Sequence, residues 1–156
     1  MAKFYAGIGS RETPFEVTAL MFKRAHLLAQ RGYWLRSGAA HGADSAFEAG
    51  AFAAKGSHEI WLPWLGYNGN PSVLVPTLEA YDLAAKYHPR WDRCSEAAKK
   101  LHARNSHIIL GADLKTPVEF VLYWTPDGKA SGGTGQGLRI AQAHGIRTEL
   151  IKVISK

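Results

Sequence analysis

The feature that most narrows what this chain can fold into is a repeated rhythm of short apolar segment, glycine-bearing turn and amphipathic helix. Residues 3–8 are aromatic and β-branched enough for a buried strand, and Gly7, Gly9 and Ser10 break it. Thr13-Pro14-Phe15-Glu16 has the form of a capping box, with Thr13 as N-cap, Pro14 at the first helical position and Glu16 reaching back to the cap amide. Val17, Leu20, Met21, Ala25 and Leu28 then share one helical face until Gly32. The pattern recurs: a strand over residues 33–36, a glycine turn over 37–42, and an alanine-rich helix over 43–55 ended by Gly56. Residues 58–62 make a third strand, 63–76 a long loop, and 77–87 and 93–110 two helices. A fourth strand covers 118–124. A glycine-rich loop over 129–137 leads into a helix reaching about His144, and 148–154 close as a fifth strand.

Strands separated by helices pair in parallel through crossovers. The expected fold is therefore α/β, a Rossmann-like three-layer sandwich whose mainly parallel sheet has five or more strands. With 156 residues, and roughly 100 to 200 residues per domain, residues 1–156 read as one domain. A strand order of 3-2-1-4-5 would reverse the chain's direction of travel between the first and fourth strands, where such sheets bind ligands at the strands' carboxyl ends.

Composition removes several classes. Apolar residues make up 46% and charged residues 21%, which is globular and not disordered. The single cysteine, Cys94, cannot form an intramolecular disulfide, and the first residues lack a signal or transit pattern, so a cytoplasmic setting is expected. No run approaches the ~20 apolar residues of a membrane span. A formal net charge of +6 favours anionic partners, nucleotides and nucleic acids included.

Three loops leave strand ends and carry the chemistry: residues 7–12, 37–44 and 131–137. Glycines let the backbone approach an anion, and the following helix offers unsatisfied N–H groups and a positive dipole end. Gly9, Ser10 and Arg11 in the first loop, Ser37, Gly38, His41, Gly42 and Asp44 in the second, and Gly132, Gly133, Thr134 and Gly135 in the third are the expected lining. Arg11, Ser37, Gly38, Thr134 and Arg139 form the expected phosphate set; Asp44 is read chiefly as a support accepting backbone N–H bonds. G-x-G-x-x-G fails, because its third glycine falls at Glu12 or Leu138, and Gly128-Lys129 is no Walker A loop. His102 and His107 are five apart and no recognised metal motif is present, so no metal and no cofactor are expected. Residues 86–104 hold six Lys and Arg with Trp91 among them, a pattern that suits a solvated helix face or a nucleic-acid backbone. Trp61, Trp64, Tyr67 and Trp91 suit either base stacking or packing, and the loop aromatics are compatible with a homo-oligomer.

The set GIGSRE after the first strand, SGAAHGAD after the second, ARNSHIILGAD before the fourth and GGTGQG after it resembles the SLOG superfamily over nearly the whole chain. That superfamily joins DprA/Smf-type recombination mediators, YspA-like proteins and LOG nucleotide phosphoribohydrolases, and the small YspA-like and DprA-core members are the nearest in pattern. Its elements are G-x-x-x-G-x-D (Gly38, Gly42, Asp44) and R-N (Arg104, Asn105). The resemblance implies a Rossmann-like fold and a site for a nucleotide, a nucleotide derivative or single-stranded DNA, with Arg104 and Asn105 in it.

One departure bears on catalysis. LOG enzymes carry GGxGTxxE, whose glutamate supports cleavage of the N-glycosidic bond; laid on Gly132, Gly133 and Gly135, the threonine position is Gln136 and the glutamate position is Arg139. An arginine neither accepts a proton nor stabilises an oxocarbenium-like centre, but in a first helical turn it holds a phosphate. The expected function is thus binding of a nucleotide or a nucleotide-derived phosphorylated ligand, to sense, carry or sequester it, without turnover. A single-stranded DNA-binding mediator like the DprA core is the first alternative, and a LOG-type N-glycosidase, with Glu12 the one loop acid placed to substitute, is the second.

Overall fold

The computed structural model describes residues 2–154. Five strands, β1 (Lys3–Gly9), β2 (Tyr33–Ser37), β3 (His58–Ile60), β4 (Phe120–Trp124) and β5 (Arg147–Leu150), form one sheet in the order β3-β2-β1-β4-β5, and every pairing is parallel. The connecting helices are α1 (Phe15–Gln30), α2 (Ala43–Ala53), α3 (Leu78–Tyr87), α4 (Glu96–Leu110) and α5 (Gly132–Ala143). The chain steps outward from β1 to β3, then returns across β1 to build β4 and β5. This is the expected α/β class and strand order.

Side chains alternate across β1, so Tyr5 faces one layer while Ala6 and Ile8 face the other. Tyr5 packs with Leu35 and Leu122 against Val17, Met21, Ala25 and Leu28 of α1 and Phe47 of α2. Ala6, Ile8 and Val121 pack against Ile108 and Ile109 of α4 and Leu138 and Ile140 of α5. Fully burying each large side chain contributes roughly 1.5–3 kcal/mol, and these two apolar layers hold the sheet between them. Among the described residues, no helix is long and apolar enough to cross a membrane.

Local departures have local causes. Pro14, and not Thr13, is the N-cap of α1, and no side chain caps it. Thr13 Oγ1 instead donates to the Ser10 carbonyl at 2.6 Å, closing the turn after β1. The helix expected from residue 93 begins at Glu96, because a 3-10 turn over Trp91–Arg93 precedes it and Ser95 caps it. The larger correction is at 131–137: those glycines are the first turns of α5 and not a loop. Packing overrides their weak helix propensity, since Gln136 and Leu138 are buried and Gln136 Nε2 donates to the Ala84 carbonyl at 3.0 Å. β5 ends at Leu150, four residues before the expected end.

Candidate functional site

The turns after β1, β2 and β4 meet above the carboxyl ends of the central strands and border a cavity of about 500 Å³. Gly9, Ser10, Arg11 and Glu12 after β1, Asp44 and Arg104, and Gly132, Gly133 and Thr134 at the start of α5 all line it. Asn105 completes the polar lining and ties two elements together, its Nδ2 donating to the Gly133 carbonyl at 3.1 Å.

Hydrogen bonds fix these turns from below. Ser10 Oγ accepts the Glu12 N–H at 3.0 Å, and Ser10 N donates to the Trp124 carbonyl at 3.1 Å, joining the β1 turn to the end of β4. Gly42, at φ +81°, lies against the carbonyls of Ser10 and Arg11, where a β-carbon would stand 2.7 Å from either oxygen. Ala39 takes a left-handed φ of 61°, and Asn68 Nδ2 holds its carbonyl at 3.0 Å. A non-glycine residue in that region stores strain that surrounding contacts must offset.

Arg104 is buried, with Nη1 donating to the carbonyls of Gly38 and of Trp61, and Nε donating to Leu101 at 3.2 Å. Its guanidinium lies 5.7 Å from the centre of the Tyr67 ring, whose hydroxyl accepts from Arg11 Nη2 at 3.4 Å. Asp44 Oδ2 accepts the Ala40 N–H at 3.2 Å, the support role read from the sequence. Burial pushes the Asp44 carboxyl up to about 6, against the opposing pull of Arg104 and the amides of Ala40 and Gly38. Burial likewise lowers Arg104.

Six residues named from the sequence do not border the cavity. Ser37 is fully buried, its hydroxyl donating to the Gly7 carbonyl at 2.6 Å. Gly38 lies beneath, wedged between Arg104 and Asp44, and Gly42 serves the contact between turns. His41 points to solvent. Gly135 is inside α5, against the Ala130 carbonyl. Arg139 is the main correction: because α5 begins at Gly132, position 139 lies beyond the first turn, and its Nε donates to the Tyr87 carbonyl at 3.0 Å and its Nη2 to Gln136 at 2.8 Å. It clasps α3 to α5, away from the cavity lining.

Asn105 apart, one side of the cavity lies outside the lining expected from the sequence. Ala98, Leu101, Asn105 and Ile108 line it as successive positions on one face of α4, with His102 beside them. Their spacing of i, i+3, i+7 and i+10 was readable once Asn105 was assigned to the site.

DNA processing protein A (DprA) from Streptococcus pneumoniae superposes on 96% of this chain with a TM-score of 0.57 at 13% identity. The fold is DprA-like. The match takes in 50% of the DprA chain, so this protein spans about half the length of that relative. The molybdenum cofactor carrier protein MCP from Chlamydomonas reinhardtii aligns with 96% of this chain and 89% of its own, at 13% identity and a TM-score of 0.46. No protein-family model and no curated protein matches the sequence. The DprA-like fold agrees at this coarse level with the SLOG resemblance of the glycine turns.

Proposed function

We propose that the cavity binds a nucleotide or a nucleotide-derived phosphorylated ligand. The observation that carries this reading is a contrast in helix capping. α3 and α4 are capped by the hydroxyls of Thr77 and Ser95, whereas α5, whose first residues Gly132, Gly133 and Thr134 border the cavity, has no side-chain cap. At α5 a cap residue is present but diverted, because Ser131 Oγ donates to Asp127 at 3.2 Å. The first amides of a helix have no partner within it, and together with the dipole they favour an anion. Arg11, Ser10 and Thr134 add a charged fork and two hydroxyls at the same end. Opposite them Leu101 and Ile108 offer an apolar surface suited to a base or a ribose face.

Binding without turnover is the form of the function we infer. Asp44 is engaged with backbone amides and Glu12 is the one other lining carboxylate, while the LOG-like glutamate position is Arg139, clasped elsewhere. Calorimetry with nucleoside mono- and diphosphates should give one saturable site per chain. Arg11→Ala should weaken it by about 1–3 kcal/mol, the cost of a lost charge-assisted contact. No free base should appear above a protein-free control. Base release abolished by Glu12→Gln with affinity intact would make the protein a glycosidase. Flat titrations against every nucleotide, beside tight oligonucleotide binding that falls steeply with salt, would instead favour a single-stranded DNA mediator.

A further inference from the structure

We propose that His88, Cys94 and His102 form a binding site for a borderline-soft divalent metal ion, zinc by ligand chemistry, held through one sulfur and two imidazole nitrogens. A ring nitrogen of each histidine and Cys94 Sγ lie within 4.8 Å of one another. The nitrogen and sulfur ligand atoms around a tetrahedral zinc stand about 3.3–3.6 Å apart, given Zn–N near 2.0–2.1 Å and Zn–S near 2.3 Å. Closing the cluster takes side-chain rotation of an ångström or so, with no rearrangement of the fold.

The scaffold is suited to this. His88 ends α3, Cys94 follows the 3-10 turn at Trp91–Arg93, and His102 stands in the second turn of α4. The three ligands therefore close the connection between two packed helices. The rings of His88 and His102 are already in contact, centroids 4.4 Å apart and tilted by 50°, and Cys94 Sγ is 3.8 Å from His88 Nε2. Among the described residues His102 Nδ1 is buried with no hydrogen-bond partner, an expensive state for a polar atom and one that a metal bound through that nitrogen would relieve.

The electrostatics agree with neutral ligands. Burial, then His88, Arg139 and Arg104, push His102 down to about 4, and burial and Arg139 lower His88, the same direction for both rings. Two guanidiniums nearby oppose a dication, and a thiolate offsets part of that repulsion. On binding, the Cys94 thiol, which now donates to the Arg90 carbonyl at 3.6 Å, releases its proton to solvent and the sulfur coordinates as thiolate. His88 Nδ1 accepts the Arg90 amide at 3.0 Å; Arg90 is exposed, so water replaces that contact when the ring turns to the metal. Thiolate and imidazole together select zinc or cobalt over magnesium or calcium. Three protein ligands leave a fourth position for water or an anion. The site shares His102 with the cavity lining but uses neither Ser10, Arg11 nor the α5 amides, so Arg11→Ala, which weakens nucleotide binding, should leave metal affinity unchanged and tells failure of the one reading from failure of the other.

Cobalt is the discriminating probe, because Cys94 is the one cysteine in the chain and any thiolate-to-cobalt charge-transfer band reports it. The whole protein, stripped with a chelator under reducing conditions, is titrated with Co(II) and then with Zn(II). The expected result is saturation at one metal per chain, the charge-transfer band with strong tetrahedral d–d bands, and displacement of cobalt by zinc. Loss of second-shell groups at metal sites costs about 10- to 100-fold in affinity, so Cys94→Ser and His102→Asn, as direct ligands, should cost about 100-fold or more. His58→Asn, at an exposed position on β3, should change nothing. Zinc-edge X-ray absorption on the unaltered chain should count one sulfur and two imidazoles, a reading that holds even if a variant misfolds. Binding without the band, a half-integral stoichiometry from a metal shared between two chains, or equal affinity in Cys94→Ser overturns the proposal.

Discussion

At Gly38 the site leaves no room for a β-carbon, which would collide with Arg104 Nη1 and stand 3.0 Å from Asp44 Oδ2. Both neighbours are buried and hydrogen-bonded, so neither can yield. Gly38→Ala should destabilise the protein by about 1–3 kcal/mol, the usual range for overpacking, measured by denaturant unfolding. Gly133 is the opposite case: nothing stands within 4 Å of its would-be β-carbon, and its φ is ordinary. No contact in the protein demands glycine there, but a ligand brought close to the backbone would. Gly133→Ala should leave the fold as stable or more so, by up to about 1 kcal/mol, and still weaken nucleotide binding. Asp44 adds a pH signature. Its folded carboxyl binds protons more tightly than the unfolded one, with values near 6 and 3.8, so its contribution is greatest below about pH 4 and falls as pH rises through 6. Wild type should lose about 2 kcal/mol relative to Asp44→Asn between pH 4 and pH 7, a difference that paired unfolding curves at those two values would detect.

Among the elements, α5 depends on the turn that launches it. Asp127 accepts the Lys129 N–H at 2.9 Å, and the hydroxyls of Ser131 and Thr125 at 3.2 and 3.4 Å. The Lys129 amide, with those hydroxyls, holds the Asp127 carboxyl below the ordinary aspartate range, so the turn keeps its acceptor well into acid. Asp127→Ala frees Ser131 to cap α5. The expected outcome is a helix no less formed by circular dichroism and a nucleotide affinity several-fold lower, because the cap hydroxyl then competes with the anion for the same amides. The turn shows what local sequence does and does not reveal. Strand order and the placement of three glycine turns at one edge followed from alternating strands and helices, because parallel pairing leaves few other arrangements. The start of α5 did not. Gly132, Gly133 and Gly135 are poor helix formers, and only burial of Gln136 and Leu138 against distant α3 and β1 makes them helical. Arg139 was misplaced for that reason alone. Likewise His88 and Cys94 share no periodicity with His102; a 3-10 turn brings them together.

For the molecule as a whole, the position of β1 at the centre of the sheet has a kinetic consequence. β1 reaches β2 through one local crossover, Leu35 pairing with Tyr5, but its other edge waits for β4, with Ala6 pairing Val121. The first contact closes a short loop and the second closes about three quarters of the chain, and non-local pairing of this kind is what slows folding. The unit β1-α1-β2-α2 should therefore assemble early, around Met21 and Phe47, while the strand interface with β4 forms last. In stopped-flow experiments Phe47→Leu should slow refolding, and Val121→Ala should chiefly speed unfolding. During synthesis the open edge of β1 has no mate until β4 emerges. In that interval the nascent chain exposes a bare, apolar strand edge, the kind of surface by which incomplete sheets find the wrong neighbour.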